Sequence, residues 1–136
     1  MWSTYRWVSL AAVLLFAAGG STGLSAEEAK VRSVAPGAEV RLAVLGSMKS
    51  NCTPNPPPDV RVSGEIAEGL VRIAAAKMTT SRFPNCPDAE LPVKVVFYKA
   101  SSTASGSDTV KLEIEEYSGK VREQRYDIRI EEEATR

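Results

Sequence analysis

Histidine is absent from this 136-residue chain, which has two cysteines and few aromatic residues. Histidine is the commonest general acid–base residue and a frequent zinc ligand, so its absence removes the most frequent catalytic and zinc-binding chemistry. Two thiolates alone do not fill the tetrahedral shell of a zinc ion. The sequence therefore predicts no enzyme, no catalytic residues, no metal site and no cofactor, although any two carboxylates that meet in a fold can still serve glycoside hydrolysis.

An excess of charge of either sign is also missing. The chain has 17 Lys and Arg residues against 17 Asp and Glu residues. Proteins dedicated to nucleic acids or anionic membranes show a basic excess. The balance therefore predicts no nucleic-acid partner, while a local charged patch remains compatible with it.

Long hydrophobic runs are limited to the N-terminus. Met1–Trp7 carries one charge, Arg6, and Val8–Ala18 is almost wholly apolar before small residues lead to Ala26. This pattern is typical of a secretory signal peptide, whereas a membrane span needs about 20 apolar residues. We predict that residues 1–26 are a signal peptide that is removed. The protein is then periplasmic or secreted, with no membrane insertion after cleavage; an uncleaved anchor or a buried helix is the alternative.

Both cysteines, Cys52 and Cys86, follow the predicted signal peptide. In an oxidising compartment an even number of cysteines favours a disulfide bond, with two free thiols as the alternative. Closing the loop between them is expected to stabilise the fold by about 3–4 kcal/mol in the chain-entropy treatment.

Alternation of apolar and polar residues with a period of two, typical of β-strands, dominates the chain after Glu39. The segments predicted as strands are Val40–Leu45, Asp59–Ser63, Leu70–Ile73, Pro92–Tyr98, Asp108–Tyr117 and Val121–Ile130. Ala74–Lys77 either prolongs a strand or forms a helical turn. The sequence predicts an all-β protein, an antiparallel immunoglobulin-like β-sandwich of about six or seven strands with one disulfide bond. We expect one domain at 39–131, after a flexible lead-in at 27–38 and before a charged tail at 132–136.

Two proline-rich loops, Ser47–Pro58 and Met78–Leu91, interrupt the strands, and each contains one cysteine. Proline disfavours both helix and central strand, so we expect these loops at the surface, tied together by the disulfide bond. Asn51–Pro58 is interpreted as a rigid loop, with a polyproline II ligand as the alternative. The candidate binding residues of the two loops are Asn55, Pro57, Arg82 and Phe83.

The last two strands form a hairpin whose register can be predicted. Pairing Glu113 with Arg125 and Lys111 with Asp127 sets opposite charges against each other. That register needs a three-residue connection, Ser118–Lys120. The charged outer face of the hairpin is interpreted as solvated, with a polar protein-binding surface as the alternative.

The motif Gly106-Ser107-Asp108 has two interpretations. Carboxylate and loop carbonyl oxygens are the usual ligands of calcium, which makes Asp108 a weak calcium candidate. In the favoured structural interpretation, Gly106 supplies a special backbone angle and Asp108 accepts hydrogen bonds from loop N–H groups. Gly69 and Gly119 are also predicted to be turn glycines, Gly69 by taking a positive φ.

Short motifs occur in a recognisable order between Val60 and Ile130. They are Val60-Arg61-Val62, Gly69–Ile73, Val95–Tyr98, Gly106-Ser107-Asp108, Ser118-Gly119 and Tyr126–Ile130. In this order the chain resembles bacterial exported immunoglobulin-like or cadherin-like β-sandwich domains, including small signal-peptide-bearing proteins with two cysteines. Val110 stands where that family often has an aromatic residue, and Ala100 where it often has proline. The resemblance implies a fold and an extracytoplasmic setting but no reaction.

Three functional hypotheses follow from predicted export, the predicted disulfide bond and the missing catalytic groups. The first is a monomeric, non-catalytic domain that binds a protein or a cell-envelope component. The second is an inhibitor of a periplasmic enzyme of the protease or lysozyme type, with Thr53–Pro58 or Ser81–Pro87 as the inserted loop. The third is a structural subunit of an envelope assembly.

Overall fold

The computed structural model describes residues 28–132 of the chain; the predicted signal peptide lies outside them. The described strands are β1 (Lys30–Val34), β2 (Glu39–Leu45), β3 (Asp59–Ser63), β4 (Gly69–Thr80), β5 (Ala89–Ala100), β6 (Gly106–Glu115) and β7 (Val121–Ile130). Between residues 28 and 132 there is no helix long and apolar enough to cross a membrane.

The strands form two sheets, one with the order β1-β7-β6-β3 and one with the order β2-β5-β4. All neighbours are antiparallel except β1, which runs parallel to β7. The orders β3-β6-β7 and β2-β5-β4 correspond to the C-F-G and B-E-D strands of an immunoglobulin sandwich. The predicted all-β sandwich with one disulfide bond is therefore confirmed, with β1 as its parallel exception.

The core lies between the two sheets. Its buried residues on β6 and β7 alternate along each strand, as the sequence pattern predicts. The main buried side chains are Val96 and Tyr98 on β5, Val110, Leu112 and Ile114 on β6, and Tyr126, Ile128 and Ile130 on β7. Each large apolar side chain buried in this way contributes about 1.5–3 kcal/mol.

The expected flexible lead-in forms β1 instead. Lys30–Val34 pairs with Tyr126–Ile130 of β7, and Val34 is buried in the core. The segment carries a weak apolar pattern, but the edge of β7 offers a row of N–H and C=O groups that favours strand pairing. The prediction that the domain starts at residue 39 is wrong, because β1 belongs to its larger sheet.

The second proline-rich loop is shorter than predicted. β4 continues through Ala74–Lys77 to Thr80, and β5 already begins at Ala89, which leaves a loop at 81–88. Every residue of β4 pairs with β5, from Gly69 to Thr80. The helix preference of alanine, below about 1 kcal/mol per residue, is outweighed by this continuous ladder.

The register of the β6–β7 hairpin differs from the prediction by two residues. Lys111 lies opposite Arg125, and the connection is Tyr117–Gly119 rather than Ser118–Lys120. Gly119 has a φ of 86°, and a three-residue hairpin loop takes its positive-φ residue at the last position. A shift of two residues leaves every side chain on its predicted face.

The predicted opposite-charge pairs across this hairpin, Glu113–Arg125 and Lys111–Asp127, are therefore wrong. Glu113 lies opposite another glutamate, Glu123 of β7. Its ion-pair partner is Arg61 of β3, with an N–O distance of 3.2 Å. Arg125 bonds Asp127 along its own strand at 3.1 Å. Exposed ion pairs contribute at most about 1 kcal/mol, so turn geometry decides the register.

Candidate functional site

Asp108 lies at one end of the sandwich, where β6 begins close to the turn between β3 and β4. Its side chain is buried. Oδ1 accepts hydrogen bonds from the backbone N–H groups of Ala67, at 3.3 Å, and Thr109, at 2.8 Å. Oδ2 accepts from the N–H of Glu68 at 2.9 Å and from the hydroxyl of Tyr98 at 2.7 Å. The carboxylate thus ties the β3–β4 turn to β5 and β6.

The protonation states of this network follow from its surroundings. Burial raises the pKa of the Asp108 carboxyl, but the hydrogen bonds from Tyr98 and from three backbone N–H groups outweigh it, so the pKa lies below its usual value. Burial, reinforced by the hydrogen bond to Asp108 and by its charge, raises the pKa of Tyr98 above its ordinary value. At neutral pH an ionised carboxylate therefore accepts from a protonated hydroxyl.

These contacts give Asp108 the structural role favoured from the sequence. Four donors occupy the lone pairs that a calcium ion would need. Within residues 28–132 no group of three or more His, Cys, Asp or Glu residues is placed to hold a metal ion.

The predicted turn glycines differ in what they do. Gly106 and Gly119 have positive φ values of 80° and 86°. Gly69 does not, which corrects the prediction; the positive φ in its turn belongs to Gly64, at 82°. A Cβ on Gly69 would collide with the backbone of β5 and lie 2.7 Å from the Tyr98 Cζ. Glycine at this position therefore allows β4 to approach β5 and the Tyr98 ring closely.

The opposite end of the sandwich, which we call the loop end, gathers three connections. These are residues 46–58 between β2 and β3, 81–88 between β4 and β5, and 116–120 between β6 and β7. Cys52 of the first is bonded to Cys86 of the second, as predicted. The bond ties the crossover between the sheets to the hairpin of the smaller sheet.

The first of these loops contains a small hairpin of its own. The Lys49 N–H donates to the carbonyl of Thr53 at 2.8 Å, and the Cys52 N–H donates to the carbonyl of Lys49 at 3.0 Å. Asn55 is buried, and both its backbone N–H and its side-chain amide donate to Ser47. The prediction of Asn55 as a surface binding residue is therefore wrong, because the residue is buried and its two N–H donors hold the loop closed.

The other candidate binding residues lie nearer the surface. Pro57 is half-buried and borders a shallow depression next to Asp59. Phe83 is half-buried, and its carbonyl accepts the N–H of Cys86 at 3.0 Å. Arg82 is exposed and lines a separate groove. The structure therefore divides the four candidates among the loop interior, the loop surface and a neighbouring groove.

A pocket of about 280 Å³ lies between the 46–58 loop and the β6–β7 turn. Glu116 and Arg122 form an ion pair at its rim, with an N–O distance of 3.3 Å. Tyr117 at its mouth is 57% exposed. The apolar residues that line this loop-end pocket are Val44, Leu45, Pro56, Pro58, Ile114 and Tyr117. Concave surfaces that combine apolar side chains, a tyrosine and polar groups are typical of binding sites.

Sequence reasoning missed Tyr117 and Arg122 of this pocket, whereas Pro56 lies within the predicted inserted loop Thr53–Pro58. A signal for Tyr117 was available, because an aromatic side chain beside the polar turn Ser118-Gly119 is expected at the surface, and exposed tyrosines often contribute to binding. Arg122 occupies an inward position in the alternation of β7. Arg122 comes close to the 46–58 loop only because the two sheets pack together, so the sequence around Arg122 could not predict this contact.

No protein family, curated protein or solved structure matches this chain. The class of this protein is therefore assigned from its own structure alone: an immunoglobulin-like β-sandwich with a disulfide-linked loop end.

Proposed function

We propose that this protein is a non-catalytic, exported immunoglobulin-like domain that binds a protein or cell-envelope component through its loop end. Its membership of the bacterial exported immunoglobulin-like or cadherin-like domains is part of the proposal. The Cys52–Cys86 bond supports an oxidising compartment, as does the signal-like segment at residues 1–26. The absence of histidine supports a role without catalysis.

The observation that carries the proposal is the loop-end pocket beside two cross-linked loops. The disulfide bond and the hairpin within residues 46–58 hold the pocket wall in one conformation. A wall ordered before binding loses little conformational entropy on association. Tyr117 stands exposed at its mouth, and tyrosine is among the residues that dominate binding energies.

Affinity capture from envelope extracts tests this proposal, with the oxidised chain as bait. Wild-type protein is expected to retain a partner that Tyr117→Ala loses. The matched control is Leu70→Ala, because Leu70 is also a large exposed apolar residue, 76% exposed, but lies at the start of β4 away from the loop end. Equal retention by Tyr117→Ala would contradict the proposal, and so would equal loss in both variants.

Enzyme inhibition is a second candidate function, favoured by the disulfide-linked hairpin of residues 46–58. Inhibitors commonly present a rigid exposed loop, and Thr53, Pro54 and Pro56 are exposed here. Assays against a panel of periplasmic proteases and lysozyme-type enzymes test it. Inhibition lost in Thr53→Ala/Pro54→Ala, with the fold unchanged, would favour this function over passive binding.

A further inference from the structure

A groove runs along the side of the sandwich where β1, the edge of the larger sheet, faces β2, the edge of the smaller one. The two strands are joined through residues 35–38. The groove, of about 450 Å³, lies toward their other ends, at Lys30 and Leu45. The buried side chains of Gln124, Tyr126 and Ile114 form its floor.

Basic side chains line this groove, which we call the basic groove. They are Lys30 and Arg32 from β1, Arg41 from β2, Arg82 from the 81–88 loop, and Arg122 from β7. Among the described residues that line it, none is acidic. In a chain whose charges balance overall, this concentration produces a local positive potential that a concave wall strengthens.

These charges include two on the inward face of an edge strand. Lys30 and Arg32 share a face of β1 with the buried Val34, where apolar side chains normally pack between sheets. Arg32 donates to the carbonyl of Val31 at 3.0 Å and lies 5.9 Å from the ring centroid of Tyr126. Neither contact neutralises its charge.

Cations on the outer sheet faces, in contrast, have acidic partners. Arg61 lies 3.2 Å from Glu113, and Arg125 lies 3.1 Å from Asp127. Within the part of the chain that the structure describes, Arg41 of the groove forms no such pair with an acid. Arg122 of the same groove is paired with Glu116, so the charge without an acidic partner among the described residues belongs to the groove's cations on β1 and β2.

We propose that the basic groove binds an extended acidic peptide segment of a protein partner, which adds as a strand to the free edge of β1. Alternate Asp or Glu side chains of the segment lie against Lys30 and Arg32, and Arg41 meets them from the opposite wall. Arginine guanidinium groups suit this task because they bind carboxylates through two parallel hydrogen bonds. The inference rests on the proposed function, since it names the chemistry of the partner.

An extended peptide fits the groove better than a single bound anion. The charges are spread along β1 and β2 instead of converging on one point. Lys30 and Arg32 are two residues apart, about 6.5–7 Å along the strand, which is the repeat of alternate side chains on an added strand. β1 is a regular edge, whereas β2 carries a bulge between Arg41 and Ala43 that disfavours strand addition there.

The groove also continues into the loop-end pocket. The residues that line both are Val44, Leu45, Ile114 and Arg122. A peptide in the groove can therefore place an apolar or aromatic side chain beside Tyr117. The expected ligand pattern is a run of alternating acidic residues that ends in an aromatic anchor.

Fluorescence anisotropy with short labelled peptides tests the proposal on the oxidised full chain. The probe is an alternating Glu-Thr peptide that ends in Tyr, and its counterpart replaces every Glu by Gln. We expect saturable binding of the acidic peptide that weakens as salt is added. Binding is expected to weaken about tenfold or more for the Gln peptide and for the variant Arg32→Gln/Arg41→Gln, since each tenfold equals about 1.4 kcal/mol.

The matched control is Arg61→Gln/Arg125→Gln, which removes the same charge from the outer sheet face. It is expected to change the dissociation constant by less than about twofold, because exposed charges at that distance are screened. Equal weakening in both double variants would overturn the proposal in favour of diffuse charge. Tighter binding of a single-stranded DNA oligonucleotide or of phosphatidylglycerol vesicles than of the peptide would overturn it in favour of those ligands.

NMR titration of the wild-type chain keeps the test independent of whether the variants fold. Amide shifts confined to β1 and the facing part of β2 support the proposal, and shifts elsewhere overturn it. The capture experiment with Tyr117→Ala fails or succeeds separately. A captured partner without peptide binding leaves the proposed function standing and removes only the acidic-segment inference.

Discussion

Asp108 shows how this fold uses a buried charge. Its carboxylate accepts four hydrogen bonds, three from backbone N–H groups and one from Tyr98. An ionised group in a buried position is tolerated only when its lone pairs are satisfied in this way. The sequence predicted the acceptor role from the Gly-Ser-Asp pattern, but Tyr98 as a partner emerged only from the packing of β5 against β6.

We expect the stability of this protein to fall in acid, with Asp108 as a contributor. Its folded-state pKa lies below its usual value, which is about 3.9, so the stabilisation is fully present above the unfolded-state pKa. It is lost as the pH falls through the lower folded-state pKa. Urea unfolding at a series of pH values from neutral to strongly acidic measures this, and Asp108→Asn should show a shallower acid dependence. An unchanged dependence in that variant would contradict the assignment.

Tyr98→Phe isolates the hydroxyl of the same network. Loss of a buried hydrogen bond to a charged acceptor is expected to lower the free energy of unfolding by about 1.5–3 kcal/mol. Tyr117→Phe is the control, because the Tyr117 side chain is largely exposed, and it should change stability by less than about 0.5 kcal/mol. Chemical denaturation of both variants gives the comparison. Similar losses of unfolding free energy would show that the Tyr98 hydroxyl stabilises the fold no more than an exposed hydroxyl does.

Gly69→Ala is expected to be more destabilising than Gly64→Ala. A Cβ at residue 69 meets the backbone of β5 and the Tyr98 ring, and overpacking of this kind costs about 1–3 kcal/mol. At Gly64, where φ is 82°, the added Cβ has nothing within 4 Å, so only backbone strain of about 1–2 kcal/mol is expected. Thermal unfolding ranks the two variants, and the reverse order would refute the close-approach explanation.

At the scale of strands and loops, turn geometry outweighs surface charge pairing. The β6–β7 hairpin accepts Lys111 opposite Arg125 because Gly119 must close the loop at a positive φ. Sequence alternation could not separate two registers that differ by two residues, since both keep the same faces inward. Neighbouring strands then supply the charge partners, as Arg61 does for Glu113.

The disulfide bond belongs to the same scale, because it joins two loops. Cys52→Ser/Cys86→Ser is expected to lower the free energy of unfolding by about 3–4 kcal/mol, since the bond restricts a loop of 34 residues in the unfolded chain. The variant should also lose the partner captured at the loop end. Urea unfolding of oxidised protein and variant measures the first effect, and equal stabilities would contradict it.

At the scale of the whole molecule, the two ends and sides of the sandwich have different characters. The end at Asp108 is tied together by hydrogen bonds and has an open depression beside Leu70, whereas the loop end has a pocket with an exposed tyrosine at its mouth. Along one side, the open edge between β1 and β2 collects positive charge in a chain of balanced composition. The proposed binding surfaces therefore lie at the loop end and along this side, away from the hydrogen-bond network of Asp108.

Export is a prediction about the whole chain. Intact mass spectrometry of protein recovered from an extracytoplasmic fraction should show a chain that begins at Glu27 and is heavier after reduction by the mass of two hydrogens. Size-exclusion chromatography with light scattering should give a monomer. Recovery of the full-length chain from the cytoplasmic fraction would contradict predicted export, whatever the fold.

The sequence by itself determined the all-β class, the inward faces of β6 and β7 and the disulfide pairing. These depend on local alternation and on having two cysteines, so short windows of sequence carry them. Only the tertiary structure decided the pairing of β1 with β7, the hairpin register, the burial of Asn55 and the basic groove. Each of these depends on which strand edge is free or on which distant side chains meet, and such contacts leave no signal within a single segment.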